Sequence, residues 1–115
     1  MAIVSGVTNS FKLECLQAIH DLSADTLKVA LYLSTANINL DTAAYTATGE
    51  ATGTNWAAGG TTLVKATGYP KLIFSANGGP RPAVWAFDDK VVSNVTVTFR
   101  AALLYNSSKA NRSIA

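Results

Sequence analysis

Apolar and polar positions change period along this chain. Over residues 26–34, TLKVALYLS, Leu27, Val29, Leu31 and Leu33 alternate with Lys28, Ala30 and Tyr32. Apolar residues at every second position line one face of a strand, so the odd positions are the expected core face. The face bearing Tyr32 and small residues is expected to be partly covered. A second alternating run over 95–105 puts Val95, Val97, Phe99, Ala101 and Leu103 on one face, with Thr96, Thr98 and Arg100 opposite. At about 3.3 Å per residue this strand is long enough to bend or bulge. Upstream, residues 8–21, TNSFKLECLQAIHD, repeat at helical spacing: Phe11, Cys15 and Ile19 form a stripe that Leu16 widens. Asn9 or Ser10 can cap this helix through a short side chain that accepts from first-turn amides, and Val7 can staple its entry.

Weaker strand signals occupy Thr61 to Ala66, Lys71 to Ser75 and Ala83 to Phe87. Gly59-Gly60, Gly68-Tyr69-Pro70 and Asn77-Gly78-Gly79-Pro80 separate them with turn chemistry. No fixed-period repeat and no linker divides the chain, so residues 1–115 are read as one domain. The expected fold is mainly β (α+β), a single β-sandwich-like domain with one short N-terminal helix and long Gly/Thr-rich loops. Its expected core contains Phe11, Ile19, Leu27, Val29, Leu31, Val97, Phe99 and Leu103.

Composition narrows the functional classes. The 115 residues are 49% hydrophobic but only 14% charged, against about 25% charged in typical domains. A surface poor in solvating charge suits a chain partly covered by partners. No apolar run approaches the roughly 18 residues of a membrane span, and no membrane association is expected. The net charge of +2 is scattered without a basic run, which argues against a nucleic-acid partner. The N-terminal MAIVSGVTNS has neither a basic region nor a long apolar segment, so synthesis in a cytoplasm is expected, the chain staying reduced there at least until assembled elsewhere. Three N-x-[ST] triplets, at Asn94, Asn106 and Asn111, are then chance occurrences.

Catalytic chemistry has little to work with. His20 is the single histidine and Cys15 the single cysteine. His20 and Asp21 point about 100° apart on a helix, so they are no dyad, and a cation near a helix C-terminus explains His20. Cys15 falls on the apolar stripe as a small core residue. Asp88-Asp89-Lys90 reads as a polar turn. No metal-ligand spacing is present, and neither a metal, a cofactor nor a catalytic residue is expected.

The stretch Tyr45–Thr62, YTATGEATGTNWAAGGTT, is dense in Gly and Thr. Gly53 and Gly59 are six apart, but Gly60-Thr61 stands where a phosphate-binding loop needs Lys and Ser/Thr, and no helical pattern follows. The stretch is therefore a loop entering a strand through Gly-Gly. Residues 41–60 are expected to be exposed and to pack on a neighbouring subunit, with Tyr45 and Trp56 as anchors and Tyr69 as a further partner contact. Trp85 and Phe87 alternate on a strand and are expected in the core.

The order of the segments VTNSFKLECLQAIHDL, DTLKVALYLSTANI, TAAYTATGEATGTNWAAGGTTL and FRAALLYNSSKANRSIA resembles a family of small tailed-bacteriophage virion proteins. That family runs through a helix like NSFK-E-L-GIHDF, a strand like KIALY-S-A, a TTAYT-TGE-SGTGY-AGG segment and a strand like ARGALIYN. The resemblance covers most of the chain. It implies a structural component of the virion, a decoration or cement protein on the capsid. The implied partners are the major capsid protein or other virion proteins, together with further copies of the chain. The rival expectation is a tail or receptor-binding component that presents Tyr45, Trp56 and Tyr69 to a carbohydrate. Residues Asn77 to Pro82 depart from the family's spacing. The family also tends to continue past ARGALIYN into another strand, whereas this chain stops at Asn111-Arg112-Ser113-Ile114-Ala115. The expected consequence is a shorter chain or a final strand pairing supplied by a partner.

Overall fold

The computed structural model describes residues 4–73, 77–79 and 81–115. The fold is mainly β, as the alternating runs predict, with one short N-terminal helix, a four-stranded antiparallel sheet and a two-stranded ribbon. Helix α1 spans Asn9–Leu16. The strands are β1 (Leu27–Tyr32), β2 (Thr61–Thr62), β3 (Lys71–Leu72), β4 (Ala83–Val84), β5 (Ala101–Asn106) and β6 (Arg112–Ser113). The sheet order is β2-β1-β5-β6, and β3 pairs with β4 alone.

The β1–β5 pair is the centre of the molecule. Its register sets Lys28 against Tyr105, Ala30 against Leu103 and Tyr32 against Ala101. Cross-strand neighbours share a face, and this face is the more completely buried of the two. Ala30, Tyr32, Leu103 and Tyr105 form the core with Ala36 and Ile38, and Tyr45 and Ala101 pack against it. The layer over this face is loop, supplied by residues 36–51.

The expected core face of β1 is thus only half realised. Leu27 and Leu31 are buried, but Val29 is half-buried and Leu33 is 39% exposed. The even face prevails because it carries Tyr32 and Tyr105. Their rings offer more area than the leucines, and their hydroxyls find acceptors in the covering loop. In the second run, regular pairing begins only at Ala101. Residues 95–100 contribute one bridge, Thr54 to Thr96, and the chain bends at Arg100. Val97 is consequently half-buried, and Phe99, expected in the core, is 54% exposed.

The weaker strand signals are shortened to β2, β3 and β4, with one bridge from Lys65 to Phe87. The expected end of the second of these, at Ser75, lies outside the described residues. β6 supplies the final pairing from within the chain, Tyr105 against Ser113 and Asn106 against Arg112. Ala110 and Asn111, with φ of 54° and 57°, form the turn closed by Arg112 N–H to Lys109 C=O. Positive φ at both central residues is the type I′ geometry that matches strand twist.

Helix α1 is shorter than its pattern and differently turned. Thr8, not Asn9 or Ser10, is the N-cap, its hydroxyl accepting from Phe11 N–H at 3.3 Å. Thr8 is itself buried, and its amide donates to Ile114 C=O at 2.8 Å, tying the helix to the end of the sheet. The inward face of the helix carries Glu14. Cys15 is exposed and Leu16 is 88% exposed, while Phe11 and Ile19 are half-buried. The apolar stripe is overridden because Glu14 meets the Arg112 guanidinium and a ring nitrogen of His20 inside, and a buried carboxylate needs such partners.

The helix stops in a Schellman turn: Ile19 N–H donates to Glu14 C=O and Ala18 N–H to Cys15 C=O. Ala18 holds φ of 56° there, a left-handed conformation that glycine adopts at lower cost. The Ala18→Gly variant is expected to gain about 1 kcal/mol, read as a higher midpoint in urea with an unchanged slope. An unchanged or lower midpoint would show that the turn carries no such strain.

Candidate functional site

Two polar knots and one groove are the features from which function can be argued. The first knot is in the Gly/Thr stretch. Glu50 accepts from the Tyr45 hydroxyl and from Gly59 N–H, each at 2.6 Å. Tyr105 donates its hydroxyl to Gly59 C=O at 2.6 Å, and the Tyr45 and Tyr105 rings stack at 4.9 Å. Tyr32 donates to Thr46 C=O at 2.7 Å. Three tyrosines and one carboxylate thereby clamp the loop onto its own sheet.

Two glycines let the backbone come this close. Gly60 has φ of 71°, and a Cβ there would lie 1.7 Å from Val29 O. A Cβ on Gly53 would lie 2.0 Å from Thr96 O, where Thr54 and Thr96 exchange backbone hydrogen bonds. Glycine here is a packing requirement, not a phosphate cradle.

The sequence-predicted contact residues are therefore placed differently. Tyr45 is half-buried with its hydroxyl engaged, so it anchors the loop internally. Trp56 closes the Gly53–Trp56 turn and is half-buried, its indole nitrogen enclosed without an acceptor among the described residues. Tyr69 is half-buried too, with the Lys71 ammonium 4.5 Å above its ring. It precedes a cis proline, Pro70. Trp85 and Phe87 pack on one another at 4.7 Å and are also half-buried.

The second knot lies under α1. His20 Nε2 and Glu14 Oε2 are 2.6 Å apart, and Arg112 donates to Glu14 Oε1 at 2.6 Å. Asn106 is buried. Its Nδ2 contacts His20 Nδ1 at 3.0 Å and donates to Asp25 Oδ2 at 2.7 Å, while its Oδ1 accepts from Ser108 N–H. Both ends of the Asn106 amide are thus fixed. Nδ1 of His20 must accept, which puts the ring proton on Nε2 and aims it at Glu14. Phe11 covers the ring at 5.0 Å. The helix-terminus explanation of His20 is replaced by this network, which lies beyond the end of α1.

No nucleophile completes the arrangement, since both ring nitrogens are occupied. Cys15 is exposed, and partial desolvation together with the charge of Glu14 pushes its thiol up, the opposite of activation. Burial pushes the Glu14 carboxyl up, but hydrogen bonds and charge from His20 and Arg112 outweigh it and hold it below the usual value. Sequence spacing gives no sign of this knot, because its members come from residues 14, 20, 25, 106 and 112 and meet only through the fold. The third feature is an open groove of about 620 Å³ between residues 4–7 and β5, with Phe99 and Leu104 in its lining.

The two knots give predictions at opposite ends of the pH scale. Desolvation pushes Tyr32 up to about 12, and the hydrogen bond to Glu50 pushes Tyr45 up to about 12. Raised values mean that the protonated phenols stabilise the fold below about pH 10, a contribution lost as pH climbs toward 12. Unfolding should accompany phenolate absorbance in that window, and early ionisation without unfolding would contradict the clamp. Glu50→Gln should cost about 2 kcal/mol, a fall on the order of 10 °C in thermal midpoint. On the acid side the sign reverses. Glu14 lies below its unfolded value, so its stabilising effect is present at neutral pH and lost as pH falls through the folded value. Glu14→Gln should lose about 2 kcal/mol at neutral pH and flatten the acid limb of the stability curve. An acid limb as steep as that of the unaltered chain would remove Glu14 from that role.

No protein-family model matches this chain, and comparison with curated proteins and with solved structures likewise returned no match. Function is therefore argued from the chain's own surface and from the resemblance in its sequence.

Proposed function

We propose that this chain is a structural protein of a tailed-bacteriophage virion, a capsid decoration or cement protein that binds the head lattice through protein–protein contacts. The observation that carries this reading is uncovered surface. The chain exposes 7002 Å² at a mass of 12.0 kDa, where a compact monomer of that mass exposes about 6,000 Å². Its radius of gyration is 15.4 Å, with extents of 46 × 32 × 26 Å, against about 13 Å for a compact chain of this length. Much of the excess is apolar, with Val4, Leu16, Val64, Leu72, Val91 and Phe99 all close to half exposed or more. A surface of this kind is stable in an assembly that covers it. On a repeated lattice, modest contacts multiply by avidity. The motif order in the sequence supplies the virion as the assembly.

The test is location and consequence. Purified particles should contain the chain in many copies, found on the head by labelling in electron micrographs. Particles depleted of it should lose integrity at lower temperature. A chain absent from purified particles would overturn the reading, and a chain found only on the tail would replace decoration with a tail role.

A further inference from the structure

The groove runs along β5 from its reverse face to the margin of the core, where Ile38, Ala101 and Leu103 join the lining. Its floor is Val29, Ala102 and Leu104, the face of the β1–β5 pair turned away from Tyr32 and Tyr105, with Val7 and Phe99 beside it. Val29 and Leu104 are half-buried and Ala102 is exposed, so this floor is apolar and open. Its rim is also open. Leu104 exchanges backbone hydrogen bonds with residues 114 and 115, but β6 pairs only with Tyr105 and Asn106. Among the described residues the edge of β5 at Ala102 therefore lies beyond the last strand and is unpaired, and such an edge accepts an added extended segment. The charged residue in the lining is Arg100, which is exposed and makes no ion pair among the described residues.

The chain itself carries a segment of the complementary kind. Asp88, Asp89, Lys90, Val91 and Val92 are consecutive, exposed, and free of helix or turn geometry. They follow the pairing of Lys65 with Phe87 at the base of the ribbon. Val91 is 81% exposed, and no residue of this segment lines the groove of its own chain. In an extended segment Asp89 and Val91 point to the same side about 7 Å apart, and Arg100 and Ala102 both line the groove.

We propose that residues 88–92 of one copy seat in the groove of a second copy, Val91 on the floor and Asp89 against Arg100. Like patches do not serve, because groove on groove would set Arg100 beside Arg100. The contact consequently joins two different patches, head-to-tail or reciprocally about a two-fold axis. This inference stands on the surface of the isolated chain and does not require the virion reading.

Sedimentation velocity on the purified full chain tests it. The unaltered chain should sediment as a species larger than a monomer. Val91→Glu and Phe99→Glu should each sediment as monomers, and both should keep the thermal midpoint, since both sites are exposed. Mixed together, the two variants should form dimers, because one retains a sound groove and the other a sound segment. Asp89→Arg and Arg100→Glu should behave in the same way, each losing the larger species alone and regaining it in the mixture. This second pair keeps the test open should a glutamate variant fail to fold. A monomeric unaltered chain at the highest soluble concentration would overturn the proposal and leave the groove to a different protein. Larger species that persist in Val91→Glu would also overturn it, as would mixtures of folded variants that stay monomeric.

Discussion

Everything in this fold depends on the pairing of β1 with β5. It joins residues 27–32 to residues 101–106, so it closes a loop of about 70 residues before any reward arrives. What offsets that cost is the quality of the face it creates. Ala30 and Leu103 are fully enclosed, and Tyr32 and Tyr105 flank them on the same side. A small residue opposite a large one lets the covering loop approach, and the two phenols give it somewhere to bind. Buried hydroxyls must be satisfied, and here Thr46 and Gly59 carbonyls do so. The loop is consequently held by directed hydrogen bonds where a second sheet would have held it by area.

The same economy explains the knot under α1. A short helix gains little from its own hydrogen bonds and must dock. This one docks through Thr8 at its start and Glu14 in its middle, while Leu13 and Leu16 stay outside. The network joins α1, the 20–25 turn, β5 and β6, whose residues are distant in sequence. Removing any one partner would strand the others in a site that water does not reach freely, so the network specifies one arrangement of helix and sheet as well as stabilising it.

How much of this was legible follows from what periodicity can see. The two long strands and the helix were legible in outline because alternation and four-residue spacing are local properties. The side that each would bury was not. Counting leucines on β1 favours the odd face, yet the deciding residues are Tyr32 and Tyr105, whose value comes from hydroxyl acceptors 14 and 46 residues away in sequence. The same limit applies to Phe99. Alternation carried the second strand back to Val95, but the bend at Arg100 breaks the face, and nothing in the local pattern marks it. Glu14 was unreadable as an inward residue for a related reason: a carboxylate is buried only where charge and hydrogen-bond donors meet it, and Arg112 and His20 arrive by way of the fold. Tyr45 stands out in the sequence as an aromatic residue of the loop, but its bond to Glu50 and its stacking on Tyr105 depend on the fold and have no local signature.

The misjudged face of β1 bears on how such a chain can be both folded and associative. A surface that binds well should not have to be ordered at the moment of binding, because ordering is subtracted from affinity. Loops rich in Gly and Thr are poor in this respect unless clamped, and the clamp in this chain spends the aromatic residues of the loop on its own sheet. The reverse of the β1–β5 pair is different. Its backbone is fixed by the pairing that forms the core, so Val29, Ala102 and Leu104 hold their positions whether or not anything lies on them. Folding thus prepares two faces at once. One is consumed by the loop and makes the domain stable. The other stays apolar, rigid and open at one edge, and a partner that covers it meets a surface whose ordering cost folding has already met.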